Sequence, residues 1–295
     1  MLISRLAVIG VGLIGGSLAR ALRHAGEVGE IVGCGRSREN LDRALQLGVI
    51  DRYTHDIGDA VSGADMVFLA VPLGAMESAF HAMRGHIDQA ALITDGGSAK
   101  ASVVEACRAG LGSLPSGFVP GHPIAGTEKS GVEASFKELY RDRRVILTPT
   151  AATTAEALES VESMWRCCGA EVTCMSVDHH DEVLAATSHL PHMLAFGLVD
   201  TLARMDENDE IFRYAAGGFR DFTRIASSNP VMWRDICVAN KEALGTMMDC
   251  YIKDMEVLAG TIKRGDGERL LEVFSRAKAA RDRYIETASE QDSPE

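Results

Sequence analysis

An apolar run, Leu6 to Ile9, leads directly into Gly10-Val11-Gly12-Leu13-Ile14-Gly15-Gly16-Ser17, and a helical pattern opens immediately afterwards. A lone Gly-x-Gly-x-x-Gly says little, but between a strand and a helix it specifies a turn that few chains can make. Gly10 permits the tight turn, Gly12 lets the backbone approach a pyrophosphate, and Gly15 lets the helix pack close to the strand. Free N–H groups and the positive end of the helix then face an anion. The chain is expected to begin with a dinucleotide-binding βα unit in which Gly10, Gly12, Leu13, Ile14 and Gly15 touch the cofactor. A tight βα turn without a ligand is the plain alternative.

Short β-type runs alternate with helical stretches: Leu6 to Gly10, Ile31 to Gly35, Met66 to Val71, Leu92 to Asp95, Gly117 to Pro120 and Val145 to Thr148. The helical stretches include Ser17 to His24, Arg38 to Leu47 and one starting near Ser102, where Ser102 and Glu105 have capping-box spacing. Apolar strands with little period-two pattern argue for a parallel sheet covered by helices on both faces. Val71 and Pro72, at the end of the third run, are further cofactor candidates. Thr153 to Cys168 reads as one more helix and Glu171 to Met175 as a short edge strand, after which β-type runs disappear.

From Asp178 onward the pattern is helical, with an interruption at Pro191, a Gly-rich turn at Gly217 and Gly218, and a long segment after Pro230. In that segment Leu244, Met248, Tyr251, Met255, Leu258 and Ile262 recur at intervals of three and four, the spacing of one apolar helix face. It reads as a core stripe, part of which is expected to pack against a second subunit in a homodimer. The fold class is therefore α/β: a Rossmann-type, mostly parallel sheet followed by an all-helical dimerisation and substrate domain. The expected divisions are residues 1–177, 178–288 and a disordered tail, 289–295; a chain of 295 residues is long enough for two domains.

Lys plus Arg number 30 against 42 Asp plus Glu, a formal charge of −12, which opposes binding to nucleic acid or an anionic membrane. An anionic substrate then needs a local basic group working against the global field. No stretch approaches the roughly 18 apolar residues of a membrane span, and the start of the chain lacks a signal-type apolar region. Seven cysteines, odd in number and without a C-x-x-C pair, read as reduced, buried thiols of a cytoplasmic enzyme.

At the end of the second strand an NAD site would usually place an acid against the ribose 2′-hydroxyl. Here the strand ends Gly33-Cys34-Gly35-Arg36-Ser37-Arg38. Nothing at Gly35 repels a 2′-phosphate, and Arg36, Ser37 and Arg38 can donate to one. NADP is expected to be accepted and preferred over NAD. The bland alternative is that these arginines only start the next helix on a solvated face.

A dehydrogenase also needs a group that takes a hydroxyl proton, and histidine suits that role near neutral pH. His24, His55, His81 and His86 fall on predicted surface segments. His122 sits in Gly121-His122-Pro123-Ile124-Ala125-Gly126-Thr127-Glu128, just beyond a strand end, the edge where open α/β sheets bind ligands. His189 and His192 sit in Ser188-His189-Leu190-Pro191-His192, at the start of the helical region. Any of the three also admits a purely structural role: a turn histidine at His122, core histidines at the other two. Ser98 is also a good helix N-cap. With His179 and His180 the two helical histidines make a poor zinc set, since no cysteine or carboxylate cluster accompanies them, and no metal is expected.

The motifs Gly10 to Ser17, Thr94-Asp95-Gly96-Gly97-Ser98-Ala99-Lys100, Gly121 to Glu128, Thr187 to His192, Gly218-Phe219-Arg220-Asp221-Phe222-Thr223-Arg224 and Met232-Trp233-Arg234-Asp235 resemble those of the prephenate/arogenate dehydrogenases, the cyclohexadienyl dehydrogenases. The resemblance runs over about residues 5–285, with the motifs in the family's order. It implies oxidative decarboxylation of prephenate or arogenate, to 4-hydroxyphenylpyruvate or tyrosine, with NAD(P). It further implies that His122 is the catalytic proton acceptor and that Ser98 orients it near the nicotinamide. His189, His192 and Arg224 would surround the substrate's carboxylates and side chain, Trp233 would line the pocket, and Glu128 would stand near its mouth. Tyrosine feedback would act at that same pocket. Two other readings stay open at the level of sequence: another two-domain dehydrogenase of β-hydroxyacid or imine-reducing type, and a nicotinamide-binding sensor without catalysis.

Overall fold

A computed structural model describes residues 1–127, 129–206 and 208–291. Six strands, β1 (Ile3–Ile9), β2 (Val28–Cys34), β3 (Arg52–Thr54), β4 (Met66–Leu69), β5 (Leu92–Asp95) and β6 (Phe118–Val119), form an all-parallel sheet in the order β3-β2-β1-β4-β5-β6. Successive side chains of a strand point to opposite faces, and β1 uses both. Leu6 and Val8 enter one apolar core, with Leu18, Leu22 and Trp165, while Ala7 and Ile9 enter the other, with Met76, Phe80 and Val103. Both faces are dry, which is why the strands show no alternation of polar and apolar residues.

The first face is covered by α1 (Leu13–Ala25), α2 (Arg38–Gln46) and α6 (Ala155–Cys167), the second by α3 (Ile57–Val61), α4 (Met76–Met83) and α5 (Lys100–Leu111). A second, three-stranded sheet joins β7 (Gly121–Pro123), β8 (Arg144–Leu147) and β9 (Glu171–Cys174), with β7 antiparallel and β9 parallel to β8. Sequence pattern misses β3 and β7. Each is three residues long, and Gly-His-Pro has little strand propensity, so pairing with β8 rather than local preference makes it extended.

The remaining elements are helical: α7 (Val177–Leu184), a π-turn at Ala185–His189, α8 (Leu190–Ala203), α9 (Asn208–Arg213), α10 (Gly217–Thr223), α11 (Pro230–Ala239), α12 (Lys241–Arg264) and α13 (Gly267–Gln291). Four expectations are corrected. The interruption expected at Pro191 lies in the π-turn just before it; proline cannot donate to residue 187, and the widened turn absorbs the mismatch. Gly217 and Gly218 open α10 instead of forming a turn. Residues 289–291 of the expected tail continue α13; residues 292–295 lie outside those described. Cys167, Cys174 and Cys250 are exposed, not buried.

Two compact units are distinguished, Met1–Leu244 and Gly245–Glu295. A division after residue 177 rests instead on the change of secondary structure between β9 and α7. Among the described residues no helix is long and apolar enough to cross a membrane.

Helix α5 begins at Lys100, two residues before the expected cap. Ser102 is inside the helix, its hydroxyl donating to the Ala99 carbonyl at 3.4 Å, and neither it nor Ser98 caps the helix. The amides of Lys100 and Ala101 go instead to the Asp181 carboxylate, at 2.7 and 2.9 Å. The Lys100 side chain is fully buried; its ammonium pairs with Asp95 and donates to the Gly121 carbonyl at 2.7 Å, while Asp95 accepts from the amides of Gly97 and Gly121 at 2.7 and 3.0 Å. This pair fixes the end of β5 and the start of β7, which bear the candidate site. Lys100→Met strips Asp95 of its counter-charge in a dry interior. It is expected to lower unfolding free energy by about 3–5 kcal/mol, read as a shifted urea midpoint.

Candidate active site

Gly10 has φ of +100°, and a Cβ there would lie 2.4 Å from the Ala70 carbonyl oxygen; a Cβ at Gly15 would lie 2.2 Å from the Gly10 carbonyl oxygen. Both positions therefore require glycine, one for its backbone conformation and both for close approach. Gly12 differs: a Cβ there would meet nothing within 4 Å, so space for a ligand opens above it. Leu13 and Ile14 start α1, which has no side-chain cap and no acid in its first turn, leaving its first amides facing that space. Val71 and Pro72 follow β4 on the same edge, next to the β1 end, where the strand order reverses direction. This is the place where such sheets bind dinucleotides, and the residues present fit one.

Beyond β2, a Cβ at Gly35 would touch only the Leu41 side chain, at 3.6 Å or more. Ser37 caps α2, accepting from the Asn40 amide at 3.2 Å. Arg36 is exposed, and Arg38 is paired with Asp42 at 3.7 Å across an exposed surface, a contact that holds it weakly.

His122 lies on β7 at the carboxyl edge of the main sheet and is 8% exposed. Its Nδ1 is 2.9 Å from Nε2 of His180, whose Nδ1 is 2.7 Å from Oδ1 of Asp181. Among the described residues its Nε2 has no partner. Burial first, then the charges of His180, Lys100 and His189, push its pKa well below the ordinary histidine value of 6.5. Ser98 lies half-buried on the bend between β5 and α5, and its hydroxyl makes no hydrogen bond among the described residues.

His189 and His192 come from the π-turn and the first turn of α8. His189 is 1% exposed; its Nδ1 is 3.0 Å from Nδ2 of Asn240, and its Nε2 is buried without a partner. Burial, together with the charges of His180 and His192 and against that of Asp181, brings its pKa down to about 4. His192 stacks on Trp233, with ring centroids 3.6 Å apart and planes 21° apart, while His189 meets the same indole edge-on at 6.1 Å. Trp233 Nε1 is also buried without a partner. Arg224, exposed at the end of α10, stands close enough to His192 to add to the lowering of its pKa that burial begins. Helix α11, which carries Trp233, packs against residues 73–75 after Pro72, so that the Asp235 carboxylate reaches the space beside Gly74. His122, His189, His192, Arg224 and Trp233 are thus one group at the edge where the cofactor loop also ends. Glu128 lies outside the described residues.

His24, His55, His81 and His86 are exposed. Sequence reasoning missed His180, Asp181 and Asn240, which stand directly behind the site histidines, and the Lys100–Asp95 pair beneath them. A faint signal existed in His179-His180-Asp181: on one helix, His180 and Leu184 share a face four residues apart, which marks His180 as inward-facing and His179 as not.

Residues 18–174 match the family model described as prephenate dehydrogenase, nucleotide-binding domain, and residues 176–276 match prephenate dehydrogenase, dimerization domain. The cyclohexadienyl dehydrogenase of Zymomonas mobilis is 41% identical over 279 residues, 94% of each chain. The prephenate dehydrogenase of Aquifex aeolicus, solved with hydroxyphenyl propionate and NAD+, superposes with a TM-score of 0.88 at 40% identity, over 95% of this chain and 98% of that one. The arogenate dehydrogenase of Synechocystis superposes with a TM-score of 0.80 at 28% identity, over 95% of this chain and 99% of that one.

His122 and His189 are neutral in the fold at pH values where the unfolded chain's histidines take up protons. Their folded values lie below 6.5, so the unfolded state binds more protons between about pH 4 and 6.5 and stability rises with pH there. Denaturant unfolding is expected to lose on the order of 3 kcal/mol from His189 alone on acidification from pH 7 to about 4. His189→Gln should flatten that slope.

Proposed function

The chain belongs to the prephenate dehydrogenase family, and on that premise we propose how its own residues carry out the NAD(P)-dependent oxidative decarboxylation of prephenate or arogenate in tyrosine biosynthesis. Family membership removes the β-hydroxyacid, imine-reducing and sensor alternatives. When bound, the nicotinamide supplies a hydride acceptor for the ring carbon that bears the hydroxyl, while carbon dioxide leaves and the ring becomes aromatic. Aromatisation supplies driving force, so the protein has chiefly to place the ring and remove a proton.

His122 Nε2 takes the hydroxyl proton. Its depressed pKa keeps it unprotonated at neutral pH, and its burial keeps water from competing. Ser98, on the bend between β5 and α5 with a hydroxyl that makes no hydrogen bond among the described residues, would orient this group toward the nicotinamide. His192 and Trp233 form a stacked wall for the ring, and Arg224 pairs with a substrate carboxylate, a bidentate contact that the acidic protein needs locally. Glu128, as an acid near the pocket mouth, rests on the family resemblance alone. The observation that carries the assignment is the gathering at one edge of three nitrogens without a partner among the described residues, His122 Nε2, His189 Nε2 and Trp233 Nε1, the last two fully buried. Buried polar atoms are seldom left without partners unless a ligand supplies them.

NADP is the preferred coenzyme. Gly35 leaves out the usual acid, and Arg36 and Arg38 stand exposed next to it; NAD+ in the Aquifex protein is the contrasting case. The chain works as a homodimer: Ile252, Met255, Val257 and Ile262 on α12, and Leu271 and Phe274 on α13, are 41–67% exposed in one chain, apolar area that a second copy would cover. Tyrosine, which shares the product's ring, competes for the substrate pocket. A reducing compartment, the cytoplasm, suits the seven unpaired cysteines.

Reduced-coenzyme absorbance in mixtures of the enzyme with NADP or NAD and with prephenate or arogenate tests the whole assignment; no signal in any combination would refute it. His122→Asn is expected to lower kcat by about 10²- to 10⁴-fold with a modest change in KM, read in the same assay. Arg224→Ala should raise KM for the dicarboxylate and spare kcat, and an unchanged KM would remove its carboxylate role. Gly35→Asp should move the ratio of kcat/KM values from NADP toward NAD; an unaltered ratio would place the 2′-phosphate elsewhere.

A further inference from the structure

Behind His122 the hydrogen bonds run in single file, and their direction is fixed at one end. The Asp181 carboxylate accepts the amides of Lys100 and Ala101 and faces Nδ1 of His180 at 2.7 Å. An ionised carboxylate has no proton to give, so Nδ1 of His180 carries the hydrogen. In a neutral ring that leaves Nε2 of His180 as a lone pair, 2.9 Å from Nδ1 of His122. The hydrogen between the two rings must then sit on His122 Nδ1, and His122 Nε2, without a partner among the described residues, is left as a lone pair. No other pair of neutral tautomers makes both hydrogen bonds.

The neighbouring histidine is fixed the other way round. The Asn240 side chain is buried, and its Nδ2 donates to the Asp181 backbone carbonyl at 2.8 Å and faces His189 Nδ1 at 3.0 Å. Turning the amide over would set its oxygen against that carbonyl, so the nitrogen has to point this way. A nitrogen that only donates makes His189 Nδ1 the acceptor. The hydrogen of His189 is therefore on Nε2, the atom that is buried and unpartnered.

We propose that His180, Asp181 and Asn240 are positioning residues that set the two site imidazoles in opposite tautomers, His122 with a bare Nε2 that accepts a proton and His189 with an Nε2–H that donates a hydrogen bond to the substrate. The proposal rests on His122 being the proton acceptor. The step it serves moves one proton from the substrate hydroxyl oxygen to His122 Nε2. Nδ1 keeps its own proton, and the resulting imidazolium keeps its hydrogen bond to His180, with the Asp181 carboxylate one ring further on. All of this is referred to one residue: Asp181 orients His180 through its carboxylate and Asn240 through its carbonyl.

Nitrogen-15 NMR of histidine-labelled wild-type enzyme, without substrate and at neutral pH, reads the tautomers directly. A bare Nε2 with a protonated Nδ1 is expected at His122, and the reverse at His189; His122→Asn and His189→Gln spectra assign the signals. A protonated Nε2 on neutral His122, or a doubly protonated His180, overturns the proposal. His180→Phe keeps a ring but removes the acceptor, and kcat should fall by about 10- to 100-fold while KM stays within about twofold. His180→Gln restores an acceptor and should recover part of that loss, which a space-filling role for His180 would not explain; wild-type kcat in the Phe variant also overturns it. Should that variant fail to fold, the wild-type spectra still decide. Inactivity of the wild-type enzyme on both substrates would instead refute the functional assignment and leave the tautomers standing.

Discussion

The carboxylate of Asp181 accepts the first two amides of α5 and faces the ring of His180, so one buried anion ties the first helix after the sheets to the helix that follows β5. Burial by itself would raise its pKa. The hydrogen bonds from His180 and from the Lys100 and Ala101 amides outweigh that, and the group stays ionised with a pKa below the usual carboxylate value. A carboxylate at a helix start is favoured by the helix dipole as well as by the amides. Most surface caps come from the residue preceding the helix; this one comes from 80 residues further along the chain. The start of α5 and the placement of His180 therefore depend on the same carboxylate.

The two halves of the candidate site offer different groups to a ligand. The cofactor edge offers backbone: amides at the start of α1, the open space at Gly12, and glycines that no other residue can replace at Gly10 and Gly15. Amide dipoles hold phosphate without net charge, which lets the loop work in a chain of formal charge −12. The substrate edge offers side chains, and these need support from behind. His122 is held by His180, His189 by Asn240, and the strand ends beneath them by the buried Lys100–Asp95 pair. Burial drives the pKa of Lys100 down, against the opposing charges of Asp95 and Asp181. Lys100 and Asp95 are paired and Asp181 is hydrogen-bonded by two amides and an imidazole, as an interior that excludes water requires.

Much of the fold was legible because its signals are local. The glycine spacing located the first βα turn, and unbroken apolar runs located β1, β2, β4, β5 and β8 within a few residues. Strands β3 and β7 were not legible, since three residues carry no periodicity and their extended form comes from the neighbours they pair with. The cap of α5 was misread for a related reason: Ser102 has the right spacing for a local cap, but a distant carboxylate satisfies the same amides more strongly. At the site, His122, His189, His192, Arg224 and Trp233 stood out by residue type and motif. His180, Asp181 and Asn240 did not, because an inward-facing polar residue on a helix looks like any other until its partner is known.

The sequence by itself determined the α/β class, the dinucleotide turn, the acidic balance and which histidine, arginine and tryptophan motifs to look at, all of which depend on residues close together in the chain. The tertiary structure decided which nitrogen of each histidine is free. Beyond the His180–Asp181 contact between neighbours, that choice is made by hydrogen bonds between residues 51 to 59 positions apart: His189 with Asn240, His122 with His180 and Asn240 with Asp181. A tautomer is fixed by the partner at the other end of a hydrogen bond of about 3 Å, and only folding brings those partners within reach.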